Sequence, residues 1–472
     1  MPGPKAGHLL FATRLQLGMH GEMSPSTDCI AALATPVGVS AIAVVRASGP
    51  MVPELIRTVF RVTPPPRLAQ HADYHDRHGA LIDDVLFTWF AAPNSYTGQD
   101  TLEISSHGNP YIAQKILEDL FARGCRSAEP GEFTQRAFLN GRMDLSQAEA
   151  VIDLIQARSE RALLAANQQL RGSLGRRMNE LIGTLLNVLA QIEAYIDFPE
   201  EDLPRENADL LVQDLGKLLV GTRQLMATSH YGALLRDGIK TVILGEPNAG
   251  KSSLLNRLIG RERALVSPEP GTTRDYLEER INIGSHALRL IDTAGFNLNP
   301  SAIEKRGIDK TLEQAAEADL FLWVIDSARP LPVLPAAAVA VMTPSKTIAV
   351  YNKIDLPVNS HSPLPYDFPS VSVSSLAGTG LDALQELIVK LADSFRSDIG
   401  DEVIAINARH AQALEQAAQC LICAREKLKD NAPTELVSSD LRMALSSFGE
   451  IAGKIDNERM LDSLFAAFCI GK

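Results

Sequence analysis

The sequence predicts a multidomain chain with an α+β N-terminal domain, a discontinuous α-helical bundle, and an α/β phosphate-loop domain inserted between the two halves of that bundle. Three observations predict it. Short alternating apolar runs fill the first part of the chain, and sustained helical spacing occupies two separate later stretches. Between those stretches Gly245 to Ser252 fits G-x-x-x-x-G-K-[ST], with an apolar run before it and helical spacing after it. At 472 residues there is room for about three domains.

Taken in order, residues 1–25 are expected to be a leader or tail. The stretch His8 to Leu17 is apolar but broken by Arg14, too interrupted for a signal peptide. Residues 26–142 form the expected α+β domain. Cys29 to Ala34 and Ala41 to Arg46 flank a Pro-Val-Gly turn, Asp84 to Phe90 and Thr101 to Ser105 read as further strands, and Tyr111 to Arg123 reads as its one clear helix, with Gly124 as C-cap. Residues 143–236 turn helical: Val151, Leu154 and Ile155 make one apolar face, and Leu181, Leu185, Leu189 and Ile192 another. Asp197 to Pro204 interrupts the pattern, and a new helix is expected near Ala208. Residues 237–396 hold the phosphate loop, and 397–472 return to helix. Neither helical stretch has a partner beside it in sequence, so one bundle built from both is the economical arrangement. Gly232 and Gly238 bracket the way into the inserted domain, and Ser394 to Gly400 the way out.

The middle domain carries chemistry in a recognisable order. Thr241 to Leu244 is the apolar strand before the loop, and Ser253 to Ile259 follows at helical spacing. Glycines there let backbone N–H groups close around phosphate oxygens at a helix start. Lys251 is placed to reach the β- and γ-phosphates, and the Ser252 hydroxyl to hold Mg²⁺. Gly271 to Asp275 supplies a threonine hydroxyl, that of Thr273, to the same metal. Asp292 ends an apolar strand, where a carboxylate can orient a metal-bound water, and Gly295 can turn its N–H toward a γ-phosphate. Asn352 to Asp355 follows another apolar run. The Asp355 carboxylate can accept two hydrogen bonds from guanine, and adenine offers no such donor pair. Ser372 to Gly378 would cap the base with backbone amides. The expected contact set for GTP or GDP is therefore Asn248, Ala249, Gly250, Lys251, Ser252 and Ser253, then Ser267, Thr272 and Thr273, then Asp292, Thr293, Ala294 and Gly295, and finally Asn352, Lys353, Asp355, Ser374, Ser375 and Leu376. This predicts a Ras-like α/β P-loop GTPase domain.

Bulk composition narrows the rest. Apolar residues make up 45% of the chain and aromatics 5%, and the net charge of −12 argues against wholesale coating of nucleic acid. Five cysteines, at 29, 125, 420, 423 and 469, suit a reducing cytoplasm better than a disulfide framework. Cys420 and Cys423 form a C-x-x-C in a helical stretch with no second pair. No run approaches the length of a membrane span.

Three further stretches carry a family resemblance. Ser127 to Ala150, Thr97 to Gly108 and the terminal Phe468-Cys-Ile-Gly-Lys472 resemble the MnmE (TrmE) tRNA-modification GTPases, over about residues 26–472. The resemblance implies modification of wobble uridine at C5 in certain tRNAs, giving 5-aminomethyl or 5-carboxymethylaminomethyl groups. It implies a flavin-dependent MnmG (GidA)-type partner in a heterotetramer or larger assembly, and a homodimer formed through the N-terminal domain. That domain is similar to tetrahydrofolate-binding modules, with 5-formyltetrahydrofolate or a related folate as ligand. The folate contacts carried over are Arg46, Glu103, Arg142 and Lys472. Arg142 stands where related chains commonly have Lys, which keeps the charge and changes the donor geometry. On residue type alone each of the four reads as a surface or salt-bridged side chain rather than a ligand, and the resemblance reverses that reading.

Phe296 occupies the position after Asp-x-x-Gly where many GTPases place the water-orienting Gln. The resemblance assigns that role to Glu304, otherwise a solvated carboxylate at a helix start. It also implies potassium stimulation, with the Asn248 side chain, the Thr272 hydroxyl and the Ser267 and Glu269 carbonyls around K⁺. Cys469 is either a nucleophilic thiolate near the C-terminus or a buried structural cysteine. A GTPase switch in ribosome assembly is the competing reading. Its relatives usually add an RNA-binding module such as a KH domain with a GXXG loop, and the sequence shows no such module. A folate-dependent one-carbon enzyme regulated by GTP overlaps the first reading.

Overall fold

The computed structural model describes residues 28–197, 205–262, 278–292, 313–357, 364, 366–395, 404–453, 464–466 and 468–471. The chain groups into two compact units, residues 1–152 with 446–472, and residues 153–445.

The first unit is built on a six-stranded sheet in the order β3-β4-β5-β2-β1-β6, formed by β1 (Ile30–Leu33), β2 (Ile42–Ser48), β3 (Gln70–His75), β4 (Leu81–Phe90), β5 (Thr101–His107) and β6 (Arg126–Ser127). All its ladders are antiparallel except β1 with β6. Side chains alternate across a strand, so Val45 and Ala47 of β2 enter the core and Arg46 between them faces the other way. The helices α1 (Val52–Phe60) and α2 (Pro110–Ala122) bring Val52, Leu55, Ile56, Ile116 and Leu120 into that core. Phe60 stacks on Phe87 with ring centroids 3.8 Å apart. Asn109 caps α2 by accepting from the Tyr111 N–H, and Gly124 follows one residue beyond the Arg123 C-cap. A single helix was expected in this region; α1 and α3 (Glu132–Leu139) are additional. The α1 segment was missed because Pro53, in its first turn, reads as a breaker unless it is recognised as a helix start.

Within Ser127 to Ala150 two charged residues, Glu132 and Arg136, are buried in an ion network that braces the fold. Glu132, 6% exposed, accepts from Arg126 and Arg136, and Arg136 also reaches Asp28. These cations hold the Glu132 and Asp28 carboxyls below their ordinary values although burial alone would raise them.

The second unit contains a second six-stranded sheet, ordered β12-β11-β10-β7-β9-β8. Its strands are β7 (Ile239–Leu244), β8 (Glu278–Ile283), β9 (His286–Asp292), β10 (Leu320–Asp326), β11 (Thr347–Asn352) and β12 (Ser370–Ser372). Every ladder is parallel except β8 with β9. The central strand β10 is buried along its whole length. Leu320, Leu322 and Val324 join one core, with Leu254, Leu258, Leu384 and Ile388, while Phe321, Trp323 and Ile325 join another with Met342 and Phe368. A strand covered on both faces reads as a continuous apolar run. The helices α9 (Lys251–Glu262) and α11 (Leu381–Ser394) supply the first of those covers.

The other described helices of this unit are α5 (Glu160–Leu170), α6 (Ser173–Asp197), α7 (Arg205–Ala227), α8 (Ser229–Asp237), α10 (Ala336–Val341) and α12 (Ala408–Lys429), with α4 (Leu145–Gln156) and α13 (Thr434–Ala452) spanning the divisions of the chain. Leu181, Leu185, Leu189 and Ile192 are all buried, as their spacing predicts. Ile155 is instead 46% exposed, because α4 ends one residue later and turns its last residues outward. α7 packs on both α6 and α12, so helices from either side of the inserted sheet share one body. Gly232 does not bracket the inserted domain but lies inside α8, where a Cβ would come within 2.3 Å of the Ile406 carbonyl oxygen. Only glycine allows that approach.

Candidate functional site

The parallel strands β7, β9, β10 and β11 all end on one side of the second sheet, and the described loops after β7, β10 and β11 meet there. In open α/β sheets ligands bind beyond these carboxyl ends. The loop after β7 closes on α9. Gly250, at φ +96°, has no room for a side chain, since a Cβ would sit 2.2 Å from Asn352 Nδ2. Asn248 adopts a left-handed φ of +65°, which Asn tolerates better than most residues.

Lys251, 8% exposed, donates from Nζ to the Gly245 and Glu246 carbonyls at 3.2 and 2.9 Å, folded back along its own loop. Burial lowers its ammonium from the ordinary value, and the nearby Asp292 charge opposes that shift. The exposed Ser252 hydroxyl donates to Asp292 Oδ2 at 2.8 Å. Asp292 Oδ1 is buried and has no hydrogen-bond partner among the described residues. A hydroxyl and a carboxylate with unused oxygen capacity are the donors a Mg²⁺ ion takes, so these residues fit the metal expected beside a nucleotide phosphate.

The base side is organised by Asn352, 1% exposed. Its Nδ2 donates to the Ala249 carbonyl at 2.9 Å, and its Oδ1 accepts from the Ser375 N–H and hydroxyl at 3.0 and 2.9 Å. One amide thus ties the phosphate loop to the loop after β12. Lys353, also left-handed at φ +65°, donates to the Asn248 carbonyl at 2.6 Å and to Asp326 Oδ2 at 2.7 Å. Asp355 is exposed, with one oxygen held by the Ser374 hydroxyl, and Leu376, two residues after Ser374, is exposed as well. The arrangement presents a carboxylate to solvent between two pinned loops, the geometry needed to read a purine edge.

Of the expected nucleotide contacts, Asn248, Ala249, Gly250, Lys251, Ser252, Ser253, Asp292, Asn352, Lys353, Asp355, Ser374, Ser375 and Leu376 are described. Ser267, Glu269, Thr272, Thr273, Thr293, Ala294, Gly295 and Glu304 lie outside the described residues, as does Lys472. Asp326 was not anticipated. Its signal was available: an apolar run, Leu320 to Ile325, ending in an acid, the same syntax that marks Asp292.

The first unit gathers a second set. Arg46 and Glu103 are directly paired across β2 and β5, with Arg46 Nε and Nη2 donating to Glu103 Oε1 at 2.9 and 2.7 Å. Arg46 Nη1 also donates to the Gly471 carbonyl at 3.3 Å, and its guanidinium lies over the Tyr96 and Phe133 rings. The chain terminus is further fixed by the Gly131 N–H on the Cys469 carbonyl. Cys469 is exposed, which removes the buried-cysteine alternative. Arg142 is exposed and its backbone N–H bonds the Ala137 carbonyl. Among the described residues no group of His, Cys, Asp and Glu could hold a metal by itself, and no helix is long and apolar enough to cross a membrane.

A parallel sheet with a phosphate loop and an Asn-Lys-x-Asp strand end defines a P-loop guanine-nucleotide protein. Comparison with known proteins gives the family. Residues 29–142 match the model of the GTP-binding protein TrmE N-terminus, and residues 145–469 that of the MnmE helical domain. A tRNA modification GTPase MnmE of Opitutus terrae is 56% identical over 95% of this chain and 100% of that protein. Proteins of the same description from Akkermansia muciniphila and Aquifex aeolicus are 43% and 40% identical, covering 95% and 94% of this chain and 100% and 99% of theirs. The chain belongs to the MnmE family of tRNA modification GTPases.

Proposed function

We propose that this protein hydrolyses GTP to GDP and phosphate and couples that turnover to modification of the wobble uridine C5 of certain tRNAs. The observation that carries the reading is the convergence of Lys251, Ser252, Asp292, Asn352 and Asp355 at one sheet edge, in a chain of this family. Lys251 serves the β- and γ-phosphates, Ser252 and Thr273 hold Mg²⁺, and Asp292 holds its water shell. Asp355 selects guanine, while Asn248, Ala249, Gly250, Ser253, Ser267, Thr272, Thr293, Ala294, Gly295, Lys353, Ser374, Ser375 and Leu376 complete the nucleotide contacts. Bound Mg²⁺ supplies charge neutralisation at the phosphates.

Glu304 orients the attacking water, since Phe296 cannot. Asn248, Ser267, Glu269 and Thr272 would hold K⁺, which would supply the positive charge an arginine finger supplies elsewhere, and GTP hydrolysis drives pairing of two nucleotide domains. An arginine finger is worth roughly 10³–10⁵ in rate, so hydrolysis in K⁺ is expected to exceed that in Na⁺ by at least about tenfold. Equal rates would remove the potassium assignment.

The domain plan we propose is 26–142 for folate binding and homodimerisation, 143–236 and 397–472 for the helical body, and 237–396 for the nucleotide domain, in a cytoplasmic protein. Arg46, Glu103, Arg142 and Lys472 take a tetrahydrofolate one-carbon donor such as 5-formyltetrahydrofolate. The Arg46–Glu103 pair, with Arg46 also reaching the Gly471 carbonyl, supports this for the first two. Exposed Cys469, beside that cluster in sequence, acts as a nucleophile; Cys469→Ser with intact modification would end that assignment. A flavoprotein of the MnmG type is the partner. The decisive experiment is mass spectrometry of wobble uridines from a deletion strain complemented with this chain or with its Asp355→Asn variant. Restored modification by the first and not the second is expected. Unmodified uridine with both would overturn the reading.

A further inference from the structure

Asp326 is the buried acid that the nucleotide reading leaves without a role. It ends β10 and is 7% exposed. Its Oδ1 accepts the Ala328 N–H at 3.0 Å, which fixes the carboxylate plane, and its Oδ2 accepts Lys353 Nζ at 2.7 Å. Arg329 Nε stands 3.6 Å from the same oxygen. Burial alone would raise this carboxyl, but the Lys353 and Ala328 hydrogen bonds, then the Lys353 and Arg329 charges, leave it below its ordinary value.

The partner of that carboxylate does more than neutralise it. The Lys353 ammonium also reaches the Asn248 carbonyl at 2.6 Å, and both residues hold left-handed backbone conformations. A lysine side chain is long and loses much rotamer freedom when fixed. A neutral backbone carbonyl alone is a weak anchor for it. A buried carboxylate is a strong one, because charge-assisted hydrogen bonds are roughly twice as strong as neutral ones. The Asn352 amide makes a parallel link from the same strand end to Ala249, so the phosphate loop is held from the end of β11 at two adjacent carbonyls, the Asn352 link braced by Ser375 after β12 and the Lys353 link by the Asp326 carboxylate at the end of β10.

We propose that Asp326 is a positioning residue of the nucleotide site, which holds Lys353 on the Asn248 carbonyl and so couples the guanine-reading strand end to the phosphate loop. The inference rests on the guanine-nucleotide reading of this site. It assigns Asp326 no contact with the nucleotide itself.

The test uses the full chain, a fluorescent GDP analogue and three variants. Asp326→Asn keeps the shape and the Ala328 bond while removing the charge. Release of the analogue should quicken by about tenfold, with nucleotide-free melting shifted by no more than a few degrees. Asp326→Asn combined with Lys353→Met should release it no faster than Lys353→Met alone, because the carboxylate acts only through the lysine. Asp326→Glu should recover part of the wild-type rate. A wild-type release rate in Asp326→Asn, or effects of the two substitutions that simply multiply, would overturn the proposal. Failure of the wild-type chain to bind the analogue at all would overturn the site reading together with it.

Discussion

The two sheets of this protein place chemistry in different ways. In the mostly parallel sheet the proposed site draws on residues at the carboxyl ends of strands, so one edge collects Asp292, Asp326, Asn352 and the phosphate loop. In the largely antiparallel sheet Arg46 and Glu103 lie in mid-strand, on the face opposite the core, and meet because β2 and β5 are neighbours in register. Edge chemistry belongs to loops that can close on a ligand. Face chemistry belongs to paired strands, and its geometry is set by register before any ligand arrives.

The largest expected effect tests the edge. Asp355→Asn should shift preference away from GTP toward a nucleotide bearing a 2-oxo purine by on the order of 10⁴ in kcat/KM, because a site built to accept two hydrogen bonds rejects a base that cannot supply them. Competition between GTP and XTP measures it. Next, Lys251→Ala should slow hydrolysis by on the order of 10²–10³ in steady-state turnover, the usual cost of losing one preorganised donor. Gly250→Ala follows. A Cβ there meets Asn352 Nδ2 and must be borne at φ +96°, so GDP affinity should fall by about 1–3 kcal/mol in calorimetry.

Smaller effects are expected from the first sheet and sharpen the contrast. The Asp28 and Glu132 carboxyls are held below their ordinary values of 3.8 and 4.5. Their contribution to stability is therefore complete above those values and is lost as pH falls through the lowered ones. Acid melting of the full chain should show this loss, and Glu132→Gln should flatten it. A thermal midpoint that rises on acidification below 4.5 would contradict the sign. Last, a double-mutant cycle of Arg46→Leu with Glu103→Leu should return a coupling of only about 1 kcal/mol, the upper range for a partly exposed pair. A coupling several times larger would mean that face chemistry is as rigidly held as edge chemistry.

The same contrast explains what the sequence could reveal. Gly245 to Ser252, Asp292 and Asn352 to Asp355 are local words at strand ends, so each was legible where it stood. Leu320 to Asp326 used the same grammar and was passed over, although its unbroken apolar run marks a doubly covered strand. Arg46 and Glu103 carry no local signal, since register alone brings them together, and only the family words pointed to them. Glu132 and Arg136 sit inside one of those words, yet their observed contacts are a buried ion network with Asp28 and Arg126. Nor could spacing show that Asn352, the first letter of a base-reading motif, spends its amide on Ala249 and Ser375.

The close approach of Gly232 to the Ile406 carbonyl, together with the packing of Arg205–Ala227 on Ala408–Lys429, bears on how the chain is made. A ribosome delivers the first of these helices long before the second, with the whole nucleotide sheet between them. The apolar stripe around Leu211, Leu215 and Leu218 thus emerges without its final cover. The intervening strands, contiguous in the chain, can fold while it waits. Order of manufacture and order of completion are inverted in this protein, and the helix left waiting is where a chaperone would have most to protect.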